Sequence, residues 1–153
     1  MRPESMAPRR SQFAISGRPG LLAAKALLAS AGLPTEDLTE RHCDRFFFLG
    51  RSDAPSGIVG LEILGDTALL RSLVVAADSQ GQGAGSALVS HAENAAREAG
   101  VRTVYLLTMT AEDFFAKRGY RRAARDSAPP AIRATREFAG ICPTSSAFMT
   151  RSL

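Results

Sequence analysis

"DSQGQGAGSALVSHAENAA", Asp78–Ala96, places Gly81, Gly83 and Gly85 between an apolar run and an alanine-rich helical pattern. Glycine weakens a helix interior by about 1 kcal/mol relative to alanine, so three of them at a helix start need a reason. The first N–H groups of a helix lack internal partners and carry partial positive charge. Where no Cβ stands in the way, an anion can reach them, and phosphate or pyrophosphate is the natural ligand. The plain alternative is a glycine-rich strand-to-helix turn that holds nothing. Two phosphate motifs are excluded by spacing. Gly85-Ser86 has no lysine between them, as a Walker loop requires. The dinucleotide fingerprint fails at Ser86 when counted from Gly81 and at Leu88 when counted from Gly83. The spacing that remains is Gln80-x-x-Gly83-x-Gly85.

Outward from this turn the chain alternates strand and helix patterns. "TALLRSLVV" precedes it as a strand, and "GSALVSHAENAAREAG" follows as a helix stopped by Gly100. "RFFFLGR", "SGIVGLEIL" and "TALLRSLVV" read as an antiparallel meander, the last two joined by a Gly65–Asp66 turn. Before them, "QFAI" (Gln12–Ile15) reads as a short strand. "GLLAAKALLASAG" reads as a helix with Leu21, Leu22, Leu27 and Leu28 on one face, and "LPTEDL" as a short helix. After the long helix come the strand "TVYLLT", the helix "AEDFFAKRG", a helix over "SAPPAIRATREFAG" opened by Ser and Pro, and the strand "SSAFMTRSL". The order implies a mixed α/β sheet.

The 153 residues fit one domain, expected over 11–153, behind a disordered tail at 1–10. Hydrophobic content of 45% and charged content of 22% indicate a globular protein, and no run reaches the length of a membrane span. Cys43 and Cys142 lack C-x-x-C spacing and read as reduced thiols of a cytoplasmic protein, with no sign of a metal site. The formal charge of +4 is modest, and no nucleic-acid motif accompanies it. Lys117, Arg118, Arg121, Arg122 and Arg125 form a basic cluster that reads as a solvated face or as an attractor of a small anion.

The Gln80-x-x-Gly83-x-Gly85 spacing resembles the coenzyme A pyrophosphate loop of the GNAT N-acetyltransferases, and the likeness extends over nearly the whole chain. "LRSLVVAADSQGQGAGSALVSHAENAAREAGVRTVYLLT" looks like that family's strand, loop, helix and next strand, and "AEDFFAKRGY" like its following helix and Gly-aromatic turn. The resemblance implies a mixed central sheet with two splayed parallel strands, flanked by helices, and acetyl-CoA as co-substrate. It assigns the pantetheine arm to the backbone of Leu73, Val74 and Val75. The pyrophosphate goes to the N–H groups of Gly81, Gln82, Gly83, Ala84, Gly85 and Ser86, with the Gln80 side chain supporting the loop. The segments "GDTALLRSLVV", "YLLTMTAEDFFAKRGY" and "PPAIRATREFAGICPTSSAFM", with the earlier "AGLPTEDL", resemble the small arsenic-resistance N-acetyltransferases (ArsN type). They imply acetylation of the α-amine of a toxic amino acid such as arsinothricin or phosphinothricin. Homodimers are common among such enzymes, but the sequence shows none.

Acetyl transfer needs a neutral amine, a polarised thioester carbonyl and a proton for the thiolate. A backbone N–H near Leu73 is the expected polariser. The family's proton-donating tyrosine falls at Phe115, beside the coenzyme, and its frequent asparagine at Thr108, so the general acid is missing. A thiol of pKa about 8.5 can leave toward water. Tyr105 and Tyr120 could substitute but read better as packed aromatics. Glu62, alternating with apolar neighbours, is the best candidate base, directly or through water, against a solvent-facing role. His42 and His91 read as surface residues. Arg71, alone in an apolar strand, needs either a structural pair with Glu62 or a substrate carboxylate, and Ser72 should face the opposite side. Arg133, with Arg136 on one helical face, could help bind an acidic substrate; a solvated face is the simpler reading. Direct arsenical binding by Cys43 and Cys142 would require the thiols to meet in space. The competing functions are acetylation of another small amine or a protein N-terminus, and a non-catalytic acyl-CoA-binding module.

Overall fold

The computed structural model describes residues 13–141 and 145–153. The proposed tail at 1–10, Gln12 and Cys142 lie outside the described residues. Seven strands form one sheet in the order β1-β2-β3-β4-β5-β7-β6. They are β1 (Ile15–Gly17), β2 (Phe46–Arg51), β3 (Ala54–Leu64), β4 (Thr67–Val75), β5 (Thr103–Thr108), β6 (Arg121–Arg122) and β7 (Ala147–Ser152). The helices are α1 (Leu21–Ser30), α2 (Glu40–Cys43), α3 (Ala84–Glu98), α4 (Glu112–Ala116) and α5 (Pro130–Arg133). The meander β2-β3-β4 is antiparallel, as its patterning predicts, and β4–β5 is a parallel pair.

Alternation sorts the side chains of β3 and β4 onto two faces. Val59, Leu61, Ala68 and Leu70 meet Leu88, Val89, Ala92 and Ala96 of α3 in the largest apolar cluster. On the other face, Phe46, Ile58 and Val74 meet Ala24 and Leu28 of α1, while Leu69 and Phe148 meet Ile132 of α5. The α1 stripe is narrower than its four leucines suggest. Leu21, Ala24 and Leu28 follow the inner face, and Leu22, about 100° round from Leu21, is 82% exposed.

Three elements differ from the sequence expectation. The first strand lies at 15–17, paired with Phe47–Leu49. "LPTEDL" forms a turn, and the short helix comes later as α2, where the Thr39 side chain and His42 cap each other. The expected helix over 127–140 is broken: α5 has four residues, and a π-helical turn occupies Glu137–Ile141.

Gly60 marks a tight approach inside the meander. It pairs with Phe46 across β2–β3, and a Cβ there would sit well under 3.0 Å from the buried Phe46 ring. Overpacking of this kind costs about 1–3 kcal/mol. Gly60→Ala should lower the urea midpoint accordingly, and an unchanged midpoint would show that the ring can move aside freely.

Candidate active site

The parallel register of β4 and β5 runs from Thr67–Thr103 to Leu70–Leu106 and stops there. Beyond it β4 continues along β3 to Val75, and β5 along β7 to Thr108. The two strands part around a cavity of about 610 Å³, lined by Arg71, Ser72 and Leu73 on the β4 side and by Leu107 and Thr108 on the β5 side. Phe115 and Glu137 complete the part of the wall that matters for chemistry. Backbone groups on this edge of β4 have no β5 partner past Leu70, so an extended amide-bearing molecule could pair with them.

A bulge shapes the β4 wall. Between the pairs Gly60–Arg71 and Ile58–Val74, β4 has one residue more than β3. Ser72 absorbs it with φ of 62°, in the left-handed region. The bulge overturns the simple alternation expected of Arg71 and Ser72: Arg71 Nε donates to Ser72 Oγ at 3.2 Å. Leu73 faces the cavity, while Val74 and Val75 pair back to Ile58 and Gly57.

The glycine turn follows β4. Gly81 and Gly83 have φ of 81° and 86°, and an added Cβ on either would meet nothing within 4 Å. Their requirement is conformational, and Gly83 caps α3 without a side chain. Gly85 differs. Its Cβ would press on the Phe114 ring at 3.3 Å, so packing against α4 is one requirement that glycine meets. Gln80 Nε2 donates to the Val75 carbonyl at 2.9 Å, tying the loop to the strand end. Arg118 adds a charge that sequence reading left within a general basic cluster. Its guanidinium stacks 3.6 Å from the Phe114 ring centroid. It also donates to the Phe114 carbonyl and to Ser86 Oγ in the first turn of α3. The cluster as a whole does not form one face: Arg122 pairs with Glu112, and Arg125 reaches the Ser146 carbonyl.

Arg71 sits in a nest of carboxylates. Its Nη1 meets Asp37 and Glu62, each at 2.6 Å, Nη2 meets Asp37 Oδ1 at 2.9 Å, and Nη2 lies 3.2 Å from Glu137 Oε1. Burial would push the Asp37 carboxyl up, but the hydrogen bond and charge of Arg71 outweigh it and hold that carboxyl below its ordinary value. Burial would likewise lower the Arg71 pKa; the Asp37 bond and the surrounding carboxylate charges more than offset this, and the guanidinium stays charged. Glu137 is the outlier. Burial pushes its carboxyl up to about 7, with Arg71 opposing the rise and Asp37 and Glu62 adding to it. Asp37, His42 and Glu62 also bring ligand atoms within 4.8 Å of one another. The cation that the two carboxylates already hold is Arg71.

The predicted residues therefore divide. Leu73 and Phe115 line the cavity, and Gln80 to Ser86 form the loop and helix start. Glu62 bonds Arg71 and lies off the cavity wall, its side chain 18% exposed. Arg71 touches the cavity, but its donors go to Asp37, Glu62 and the Ser72 hydroxyl, not to open space. Arg133 does not reach the cavity: it donates to the Ala128 and Asp126 carbonyls. Its expected helical pairing with Arg136 fails because α5 ends at Arg133. Tyr105 stacks on Phe148. The Tyr120 hydroxyl donates to Glu93 at 2.9 Å, and burial with that carboxylate pushes its pKa up. His42 caps α2, and His91 packs edge-on against Phe47. Cys43 is buried. Sequence reading missed Asp37 and Glu137. Asp37 stood in a segment read as helix, and Glu137 in one whose helical phase breaks.

Among the described residues no helix is long and apolar enough to cross a membrane. Comparison with known proteins agrees with the geometry. The family model "Acetyltransferase (GNAT) family" matches residues 22–123. An amino-acid acetyltransferase of Ralstonia nicotianae is 42% identical over 57 residues, 37% of this chain and 13% of that protein, so the chain spans a small part of that relative's length. The N-acetylglutamate synthase of Neisseria gonorrhoeae, solved with coenzyme A and N-acetyl-glutamate, superposes with a TM-score of 0.79 at 22% identity, over 95% of this chain and 36% of that one. Rv2747 of Mycobacterium tuberculosis, solved with CoA, superposes with a TM-score of 0.69 at 18% identity, over 92% of this chain and 99% of that one. A family match over most of the chain, joined to the splayed strands and the glycine-capped helix, establishes that the chain belongs to the GNAT acetyltransferase family.

Proposed function

We propose that the protein is an acetyl-CoA-dependent N-acetyltransferase whose acceptor is the amine of a small amino acid. The observation that carries this reading is the shared cavity. One opening between β4 and β5 joins unpaired strand backbone to a wall that holds an excess of carboxylate over cation. The strand edge suits the amide-bearing pantetheine arm. The loop from Gly81 to Ser86, with Arg118 beside it, suits the pyrophosphate. The Leu73 N–H is the candidate polariser of the thioester carbonyl. Phe115 has no proton to give, so the leaving thiolate takes its proton from elsewhere. The carboxylate excess suits an acceptor that arrives as an ammonium ion.

Within this reading the acceptor is a toxic amino acid of the arsinothricin or phosphinothricin class, and the role is arsenic resistance. Support comes from the "AGLPTEDL" and "PPAIRATREF" segments and from amino-acid acetylation in the Ralstonia relative's name. Arg71 is not the group that would hold such a substrate's acidic head, since its donors already meet Asp37 and Glu62. Hydroxyls along the cavity, from Thr35, Ser72, Thr108, Thr110 and Ser146, are candidate donors.

The deciding experiment incubates the protein with acetyl-CoA and arsinothricin, phosphinothricin, L-glutamate or a free-amine peptide, and follows thiol release. Release with the first two and not with the peptide is the expected result. Release with the peptide alone would replace the substrate class. Coenzyme binding with no release from any acceptor would leave an acyl-CoA-binding module.

A further inference from the structure

We propose that Glu137 is the catalytic base: its carboxylate takes the proton from the acceptor's ammonium group inside the β4–β5 cavity. This rests on the acetyltransfer reading above. Among the described residues, two acidic side chains line the cavity, Glu36 and Glu137. Glu36 is exposed, whereas Glu137 is buried and held 3.2 Å from Arg71. Glu62, the base favoured by sequence, stands behind Arg71 and off the wall. The π-helical turn starting at Glu137 is what brings this side chain to the cavity, because α5 has already ended at Arg133.

The charges around Glu137 fit the task from every side. Arg71 on β4 anchors it, while Glu62 on β3 and Asp37 in the loop after α1 share the same guanidinium. One cation among three carboxylates leaves net negative charge beside the cavity, which attracts an ammonium ion. Burial, opposed by Arg71 and aided by Asp37 and Glu62, brings the Glu137 carboxyl to about 7, close to where a general base works best at neutral pH.

In the transfer, a Glu137 carboxylate oxygen takes one proton from the ammonium, leaving a neutral amine. The amine lone pair forms the C–N bond to the acetyl carbonyl carbon, and the C–S bond breaks with its electron pair on sulfur. The nitrogen's second proton is lost as the amide forms and ends on the coenzyme thiolate. Glu137 returns its own proton to water through the cavity mouth. Arg71 is a positioning residue in this scheme.

The test measures kcat/KM against pH by thiol release, for wild type, Glu137→Gln and Glu137→Asp, with phosphinothricin and with arsinothricin as acceptors. Wild type should show an acid limb near pH 7 that stays in place when the acceptor is changed. Glu137→Gln keeps the acceptor oxygen that Arg71 needs. It should lose about 10²–10⁴-fold at neutral pH, and its residual rate should follow the amine's own pKa instead. Glu137→Asp should retain the limb at reduced rate. Coenzyme A affinity should stay within about twofold in both variants, since the base acts on the amine and not on the coenzyme. A uniform loss in Glu137→Gln with the limb intact, or a wild-type limb that moves with the acceptor's pKa, would overturn the assignment while leaving acetyl transfer standing. No thiol release by wild type with any acceptor would instead remove the reading on which it rests.

Discussion

Arg71→Met will destabilise the protein by about 3–5 kcal/mol at neutral pH, the usual range for stranding buried charge by removing its partner. The side chain of Arg71 is fully buried and meets Asp37, Glu62 and Glu137. Methionine fills much of the same volume but neutralises nothing, so packing alone is a minor part of the loss. The deficit should depend on pH with a definite sign. In wild type the Asp37 carboxyl is held below its ordinary value despite burial, so it contributes stability above its unfolded pKa that is lost as pH falls. Without the guanidinium, the native carboxyls would favour their protonated forms, and acid would relieve the repulsion. Urea unfolding at about pH 7.5 and about pH 4 should therefore show a deficit that shrinks toward acid. An equal deficit at both would mean that Arg71 acts through packing rather than charge.

Glu137→Gln should do the opposite to stability. The native carboxyl is raised by burial from 4.5 to about 7, so between those values the folded state binds more protons than the unfolded one. Wild-type stability then falls as pH rises through this window, by about 1.4 kcal/mol per unit and about 3 kcal/mol in all. Glutamine mimics the protonated carboxyl and does not titrate. The variant should match wild type near pH 4 and exceed it by about 3 kcal/mol at pH 8 in urea unfolding. A difference that does not change with pH would mean that the native carboxyl is not held protonated. Gained stability with lost turnover is the signature of a group strained for function.

Local rules govern the parts of the fold that were legible in the sequence. The glycine turn, the long helix after it and the meander before it depend on neighbouring residues and short periods, and all appear where the patterning puts them. The Arg71–Glu62 pair was legible too, because the Gly65–Asp66 turn sets the strands in a register that makes the two diagonal neighbours. Three things were not. Asp37 joins the cluster from a segment that reads as a short helix and folds as a turn. Ser72 turns toward Arg71 because a bulge adds one residue to β4, and a bulge of this kind has no signature when the residue in the left-handed region is serine. Glu137 sits in a segment that reads as continuous helix, so counting from Arg133 gives the wrong direction once the helix breaks. The glycines of the turn also meet needs that spacing does not show: Gly81 and Gly83 stand at positive φ, and Gly85 packs on the Phe114 ring.

The break between α5 and the π-helical turn also bears on how this protein can change. Each residue added to or removed from a helical segment rotates the downstream residues by about 100°. Between Arg133 and Glu137 a single deletion would therefore swing the carboxylate off the cavity wall and bring Phe138 toward its place, and a single insertion would bring Arg136. Substitutions in the cavity can only adjust which amine fits. A change of length in these few residues replaces the functional group outright, so divergence in chemistry among relatives with this segment should be recorded as gaps before it is recorded as substitutions.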